Sequence, residues 1–133
     1  VAVEMHRANP EERDVAASFR DWGIPTAASV AGLAGLNVGV CATGGVASGL
    51  AAAKAIALGA VCVGVARPLL VARERGVEAL DRAIVALIAE LRTAMMLTGC
   101  VDVAALRAAP LVVGEPLLRW IPAASAVRKR VVG

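Results

Sequence analysis

The residues most able to do chemistry in this chain are glycines. Thr43-Gly44-Gly45-Val46-Ala47-Ser48-Gly49 lies between an apolar run, Val38 to Ala42, and an alanine-rich stretch, Leu50 to Leu58. The run, bounded by Asn37 and Gly44, reads as a strand buried on both faces. The stretch reads as a helix capped by Ser48 and closed by Gly59. Glycines at a strand-to-helix turn let backbone N–H groups approach an anion closely, and a helix N-terminus adds a favourable dipole. A second apolar run, Val61 to Val65, follows after one short crossover, which makes it a parallel, right-handed neighbour of the first. It ends at Ala66-Arg67, and Pro68 opens a short helix, where its missing N–H costs nothing.

The candidate anion ligands are therefore Gly44, Gly45, Val46 and Ala47 on one strand end, and Ala66 and Arg67 on the next. Barrels of the (β/α)8 type often hold phosphate with the loops after their last two strands plus a short extra helix. No Gly-Lys-Ser/Thr follows the glycines, so this is not a P-loop, and a Rossmann G-x-G-x-x-G is absent. Arg67 has two readings of equal standing: its guanidinium reaches the phosphate, or it pairs with a helix acid. Lys54, inside the helix, reads as a snorkelling surface residue. His6 is a loop histidine with no partner in view. No catalytic or metal-ligating set emerges. Cys41, Cys62 and Cys100 are isolated among apolar residues and read as buried, reduced thiols of a cytoplasmic protein.

These residues must be positioned by 133 residues rich in small apolar side chains, with Phe19, Trp22 and Trp120 the only aromatics. That composition suits close helix-on-sheet packing in an α/β protein, a single domain over 1–133 with no internal boundary. The net charge of +3 peaks at Arg128-Lys129-Arg130, which reads as a solvated tail; without stacking aromatics, no nucleic acid is expected. No charge occurs between Asp21 and Lys54, but glycines, Pro25 and Asn37 break the stretch too often for a lipid-exposed helix, so no membrane is expected. Residues 1 to 12 read as polar loop, with a helix beginning after Asn9-Pro10, packing through Val15, Ala16 and Phe19, and stopped by Trp22-Gly23-Ile24-Pro25. Thr26 to Leu36 reads as a small-residue helix. A long helix is expected from Val77 to Leu97, with a stripe of Val77, Leu80, Ile84, Leu87, Ile88, Leu91 and Met95 and a Glu78–Arg82 pair. Gly99 ends it, a short helix spans Val103 to Ala108, and Pro110, Pro116 and Pro122 act as breakers.

At these residues the chain resembles the FMN-binding barrel enzymes. Thr43-Gly44-Gly45-Val46, Ala55 to Ala60, Gly64 and Arg67-Pro68 are similar to segments shared with α-hydroxy-acid oxidases and IMP dehydrogenases. Phe19-Arg20-Asp21-Trp22-Gly23-Ile24-Pro25-Thr26 resembles a narrower group, the type 2 isopentenyl-diphosphate isomerases. So do Glu90-Leu91-Arg92-Thr93-Ala94-Met95 with Leu97-Thr98-Gly99, and Leu106-Arg107, Pro110-Leu111-Val112 and Leu118-Arg119-Trp120. The resemblance implies the last two strands, with their helices, of an FMN-binding TIM barrel. It implies an enzyme that interconverts isopentenyl and dimethylallyl diphosphate in isoprenoid synthesis, using reduced FMN, NADPH and Mg²⁺, as a homo-oligomer. Ala47 stands where the family commonly has Arg, and Ala51 where it has Asp, which bears on local charge and helix capping. The family's catalytic residues, Mg²⁺ ligand and G-G-T-S-W strand have no counterpart in this chain. Two strands of eight are expected to be inactive alone and to need the N-terminal part of the barrel as a partner. Two other readings stand beside it: part of an oxidase or IMP-dehydrogenase type barrel, and a non-catalytic phosphate-binding half-barrel module.

Overall fold

The computed structural model describes residues 9–132; His6 lies outside the described residues. Asn9 opens the first helix with a capping box. Its side chain accepts from the Glu12 N–H at 2.9 Å, and the Glu12 carboxylate accepts from the Asn9 N–H at 3.1 Å. Helix α1 thus spans Pro10–Ser18, beginning inside the stretch expected to be loop, because the cap outweighs the polar composition. It buries nothing. Val15 is exposed, and Phe19 meets Trp22 edge-on with ring centroids 6.0 Å apart.

Helix α2, Thr26–Leu33, ends three residues short of Leu36, where Ala34 turns extended. Strand β1 is Cys41–Ala42, helix α3 is Gly49–Ala57 and strand β2 is Cys62–Val63. The strands pair in parallel, Cys41 with Cys62 and Ala42 with Val63. Flanking bonds from Val61 N–H to Val40 O (2.9 Å) and from Gly64 N–H to Ala42 O (2.8 Å) extend the ladder by one residue each way. Both strands are shorter than their apolar runs, since among the described residues each has one neighbour to pair with.

Four helices follow: α4, Arg67–Glu74; α5, Val77–Leu97; α6, Val103–Ala108; and α7, Glu115–Leu118. A 3₁₀ turn, Arg128–Arg130, closes the described chain. The boundaries of α5 and α6 are those expected from the apolar stripe and the flanking glycines. Of the stripe, Leu80, Leu87, Leu91 and Met95 are half-buried, while Val77, Ile84 and Ile88 are exposed. Among the described residues the Glu78–Arg82 pair is not formed; the ion pair present joins Glu115 and Arg119 at 3.3 Å. Pro116 does not break a helix but sits in the first turn of α7, where no N–H is needed.

Helix α3 is the hub. One side packs Ala55 and Leu58 with Val30, Ala31, Ala42, Ile121 and Val127. The other packs Ala53, Ile56 and Ala57 with Leu106, against Leu91, Ala94 and Met95 of α5. The small side chains expected from composition are what allow this helix to be approached from both sides.

The basic C-terminal segment is not a solvated tail. Val127 is fully buried, and the Ser125 hydroxyl donates to Ala31 O at 2.5 Å. Arg128 donates to Leu118 O (2.9 Å) and Ile121 O (3.2 Å). Arg130 donates to Ala57 O (2.7 Å), Ala109 O (3.2 Å) and Arg107 O. Its guanidinium fork thereby satisfies carbonyls at the C-terminal ends of α3 and α6, where backbone acceptors lack helical partners. Lys129 alone of the three is exposed. The thiols also differ from expectation. Cys41 and Cys62 are exposed and Cys100 half-buried; among the described residues the helices pack on the Ala42 and Val63 side of the sheet, which leaves the two strand cysteines on the other face.

Candidate functional site

The glycine loop leaves the end of β1 in the conformation its sequence requires. Gly44 and Gly45 both have positive φ, +86° and +78°, which side-chain-bearing residues rarely adopt. Thr26, the first residue of α2, pins the loop from outside: its hydroxyl donates to Gly44 O at 2.7 Å, with Thr43 O at 3.4 Å. Among the described residues none accepts from the N–H groups of Gly44, Gly45, Val46 or Ala47. Gly44, Gly45 and Ala47 are exposed, so their N–H groups are open to solvent or to an anion.

The same holds at the neighbouring strand end. Ala66 caps α4, and among the described residues no acceptor takes the N–H of Ala66 or Arg67. Arg67 is exposed and forms no ion pair there, so the acid-pairing alternative is not realised among the described residues. The two loops start side by side: a Cβ added to Gly64 would stand 3.1 Å from the Thr43 hydroxyl. Gly44, Gly45 and Val46 share a groove of about 230 Å³ with Thr26, Ala27 and Lys54. Ala66 and Arg67 do not line that groove; they lie at the adjacent strand end.

The N-terminus of α3 is already occupied. Ser48 Oγ accepts from the Ala51 N–H at 3.1 Å, and Glu90 Oε2 of α5 accepts from the Gly49 N–H at 2.6 Å. The N–H groups of Gly49 and Ala51 are thus both satisfied with alanine at residue 51. The positive end of the α3 dipole is met by a carboxylate of this chain. Neither Thr26 nor Glu90 stood out as a site residue in the sequence. Both lie in segments that carry the family resemblance, Thr26 at the end of one and Glu90 at the head of another, but nothing local ties Glu90 to Gly49, 41 residues distant.

The profile of the FMN-dependent dehydrogenase family matches residues 24–113, from just before α2 to just before α7. The chain belongs to that family. Its relatives include isopentenyl-diphosphate delta-isomerases. That of Methanococcus maripaludis is 38% identical over 90% of this chain and 34% of its own length. That of Pyrobaculum aerophilum is 44% identical over 91% of this chain and 35% of its own. That of Synechococcus sp. is 49% identical over 79% of this chain and 31% of its own. The chain spans about a third of the length of these curated relatives. Among the described residues no helix is long and apolar enough to cross a membrane.

Proposed function

We propose that this FMN-dependent dehydrogenase family chain is the phosphate-gripping part of a type 2 isopentenyl-diphosphate isomerase. On this reading it forms the last two strands of a (β/α)8 barrel as a single partial domain, and works in the cytoplasm as part of a homo-oligomer. The observation that carries the reading is a double-glycine turn whose amides at Gly44, Gly45, Val46 and Ala47 find no acceptor among the described residues, in a chain 38–49% identical to relatives named as that isomerase. These amides, with those of Ala66 and Arg67 at the adjacent strand end, hold the FMN phosphate. The Arg67 guanidinium adds positive charge, and Thr26 keeps the loop fixed so that its donors are organised before the ligand arrives.

FMN held by these amides would supply acid–base chemistry at the double bond of the isoprenoid diphosphate, with NADPH as its reductant and Mg²⁺ as counter-ion of the diphosphate. This chain's part is to orient the cofactor by its phosphate. The bare sheet face and unpaired strand edges are covered by the remaining barrel segments, without which the chain is inactive. The test is complementation: co-expression with the N-terminal two thirds of the Synechococcus relative. Co-purification with flavin and recovery of isopentenyl-diphosphate isomerisation support the reading; a folded complex that binds no flavin refutes it.

A further inference from the structure

Ser125 is the one buried polar side chain among the described residues, 5% exposed. A buried hydroxyl costs free energy unless it is hydrogen-bonded, and this one is bonded twice. It donates to Ala31 O at 2.5 Å and accepts from the Val127 N–H at 3.2 Å. Ala31 lies in the last turn of α2, where carbonyls have no partner within the helix. Ser125 thus caps the C-terminal end of α2 from 94 residues away in the chain. Beside it, Ile121 and Val127 pack with Val30 and Ala31, and the Ala126 N–H donates to Ala34 O at 3.4 Å.

The other end of α2 carries Thr26, whose hydroxyl holds the Gly44 carbonyl at 2.7 Å. Helix α2 is 8 residues long, with no side-chain cap at Pro25 and no basic residue in its last turn. A helix this short is not stable by itself, so its tertiary contacts decide whether it forms and where it sits. The bond at Ala31 and the bond at Thr26 are about 7.5 Å apart along the helix. Both join residues of this chain, and Ser125 is buried by this chain alone.

We infer that Ser125 is a positioning residue for the phosphate-binding loop: by capping α2 it holds Thr26 against Gly44. The identity of the ligand rests on the proposed function; the linkage from Ser125 through α2 to the loop is read from this chain's own contacts.

The test is a double-mutant cycle on the complemented barrel, titrating FMN and riboflavin into wild type, Ser125→Ala, Thr26→Val and the double variant. The two ligands share the flavin ring, so the ratio of their affinities reads the phosphate grip alone. Ser125→Ala is expected to lower that ratio about threefold, Thr26→Val about fivefold, and the double variant no more than about fivefold, because both losses pass through one bond. Leu106→Ala, which opens the packing on the other side of α3, should destabilise the complex yet keep the wild-type ratio. If the alanine variant does not fold, Ser125→Cys, a weaker donor, carries the same cycle. An unchanged ratio in the Ser125 variant, losses that multiply in the double variant, or an equal loss in Leu106→Ala would each overturn this inference and leave the proposed function standing. A folded wild-type complex with no preference for FMN would overturn both.

Discussion

Glu90 Oε2 accepts a hydrogen bond from the Gly49 N–H at 2.6 Å, so a carboxylate of α5 sits on the N-terminus of α3. The approach is possible only because residue 49 is glycine. A Cβ there would collide with Leu87 O and stand 2.6 Å from both Glu90 Cβ and Leu91 N. The hub helix is therefore held at its N-terminus by Glu90 and, at Ala57 O, by Arg130. The glycine loop runs between β1 and this fixed helix.

Glu90→Ala is expected to lower stability by about 1–2 kcal/mol, the worth of a charge-assisted bond at a helix N-terminus. Glu90→Gln should recover part of that loss. Gly49→Ala should cost more, up to ~3 kcal/mol, because two backbones must separate. Urea unfolding midpoints measured at unchanged m-values check the order.

Arg130→Ala removes donors to three carbonyls on two helix ends and should cost about 2–3 kcal/mol. Arg130→Lys should not restore the loss, since an ammonium cannot reproduce the planar fork. The exposed neighbour supplies the control: Lys129→Ala should lie within about 0.5 kcal/mol of wild type. Thermal unfolding of the three variants distinguishes this from a general effect of losing charge.

Much of the fold was legible because its signals are local. Val77–Leu97 is bracketed by Gly76 and Gly99 and carries its own stripe; Ser48 caps α3 from the position its type suggests; Gly44 and Gly45 declare a turn that other residues resist. What was not legible depends on residues far apart in the chain. Arg130 reads as a solvated cation until Ala57, Arg107 and Ala109 are brought to it by folding. Cys41 and Cys62 read as core residues from their apolar neighbours, but facing and coverage are set by which side of the sheet the helices take. Of the candidate site, the loop could be read, while Thr26 as its anchor needed the α2–β1 contact.

Thr26→Val should weaken flavin binding by the complemented barrel about fivefold, the equivalent of one neutral hydrogen bond of ~1 kcal/mol, with Thr26→Ser near wild type. Fluorescence titration with FMN measures it. Equal affinity in Thr26→Val would show that the Gly44 carbonyl is held well enough without the hydroxyl.

Gly45→Ala and Gly99→Ala make a matched pair. Both residues have positive φ, +78° and +68°, and a Cβ at either meets nothing within 4 Å. Each should lose a similar ~1–2 kcal/mol of stability from backbone strain. Only Gly45→Ala should also weaken FMN binding if the proposed loop holds the phosphate, because its added carbon would then stand against the ligand. Parallel unfolding and flavin titrations separate the two effects.

The most direct measurement compares FMN with riboflavin, which lacks the phosphate, as ligands of the complemented barrel by calorimetric titration. If the amides of Gly44, Gly45, Val46 and Ala47 grip a phosphate, FMN should bind at least about 100-fold more tightly, some 2.7 kcal/mol, and Gly45→Val should remove most of that difference. Equal affinity for the two flavins in a folded complex would contradict the account.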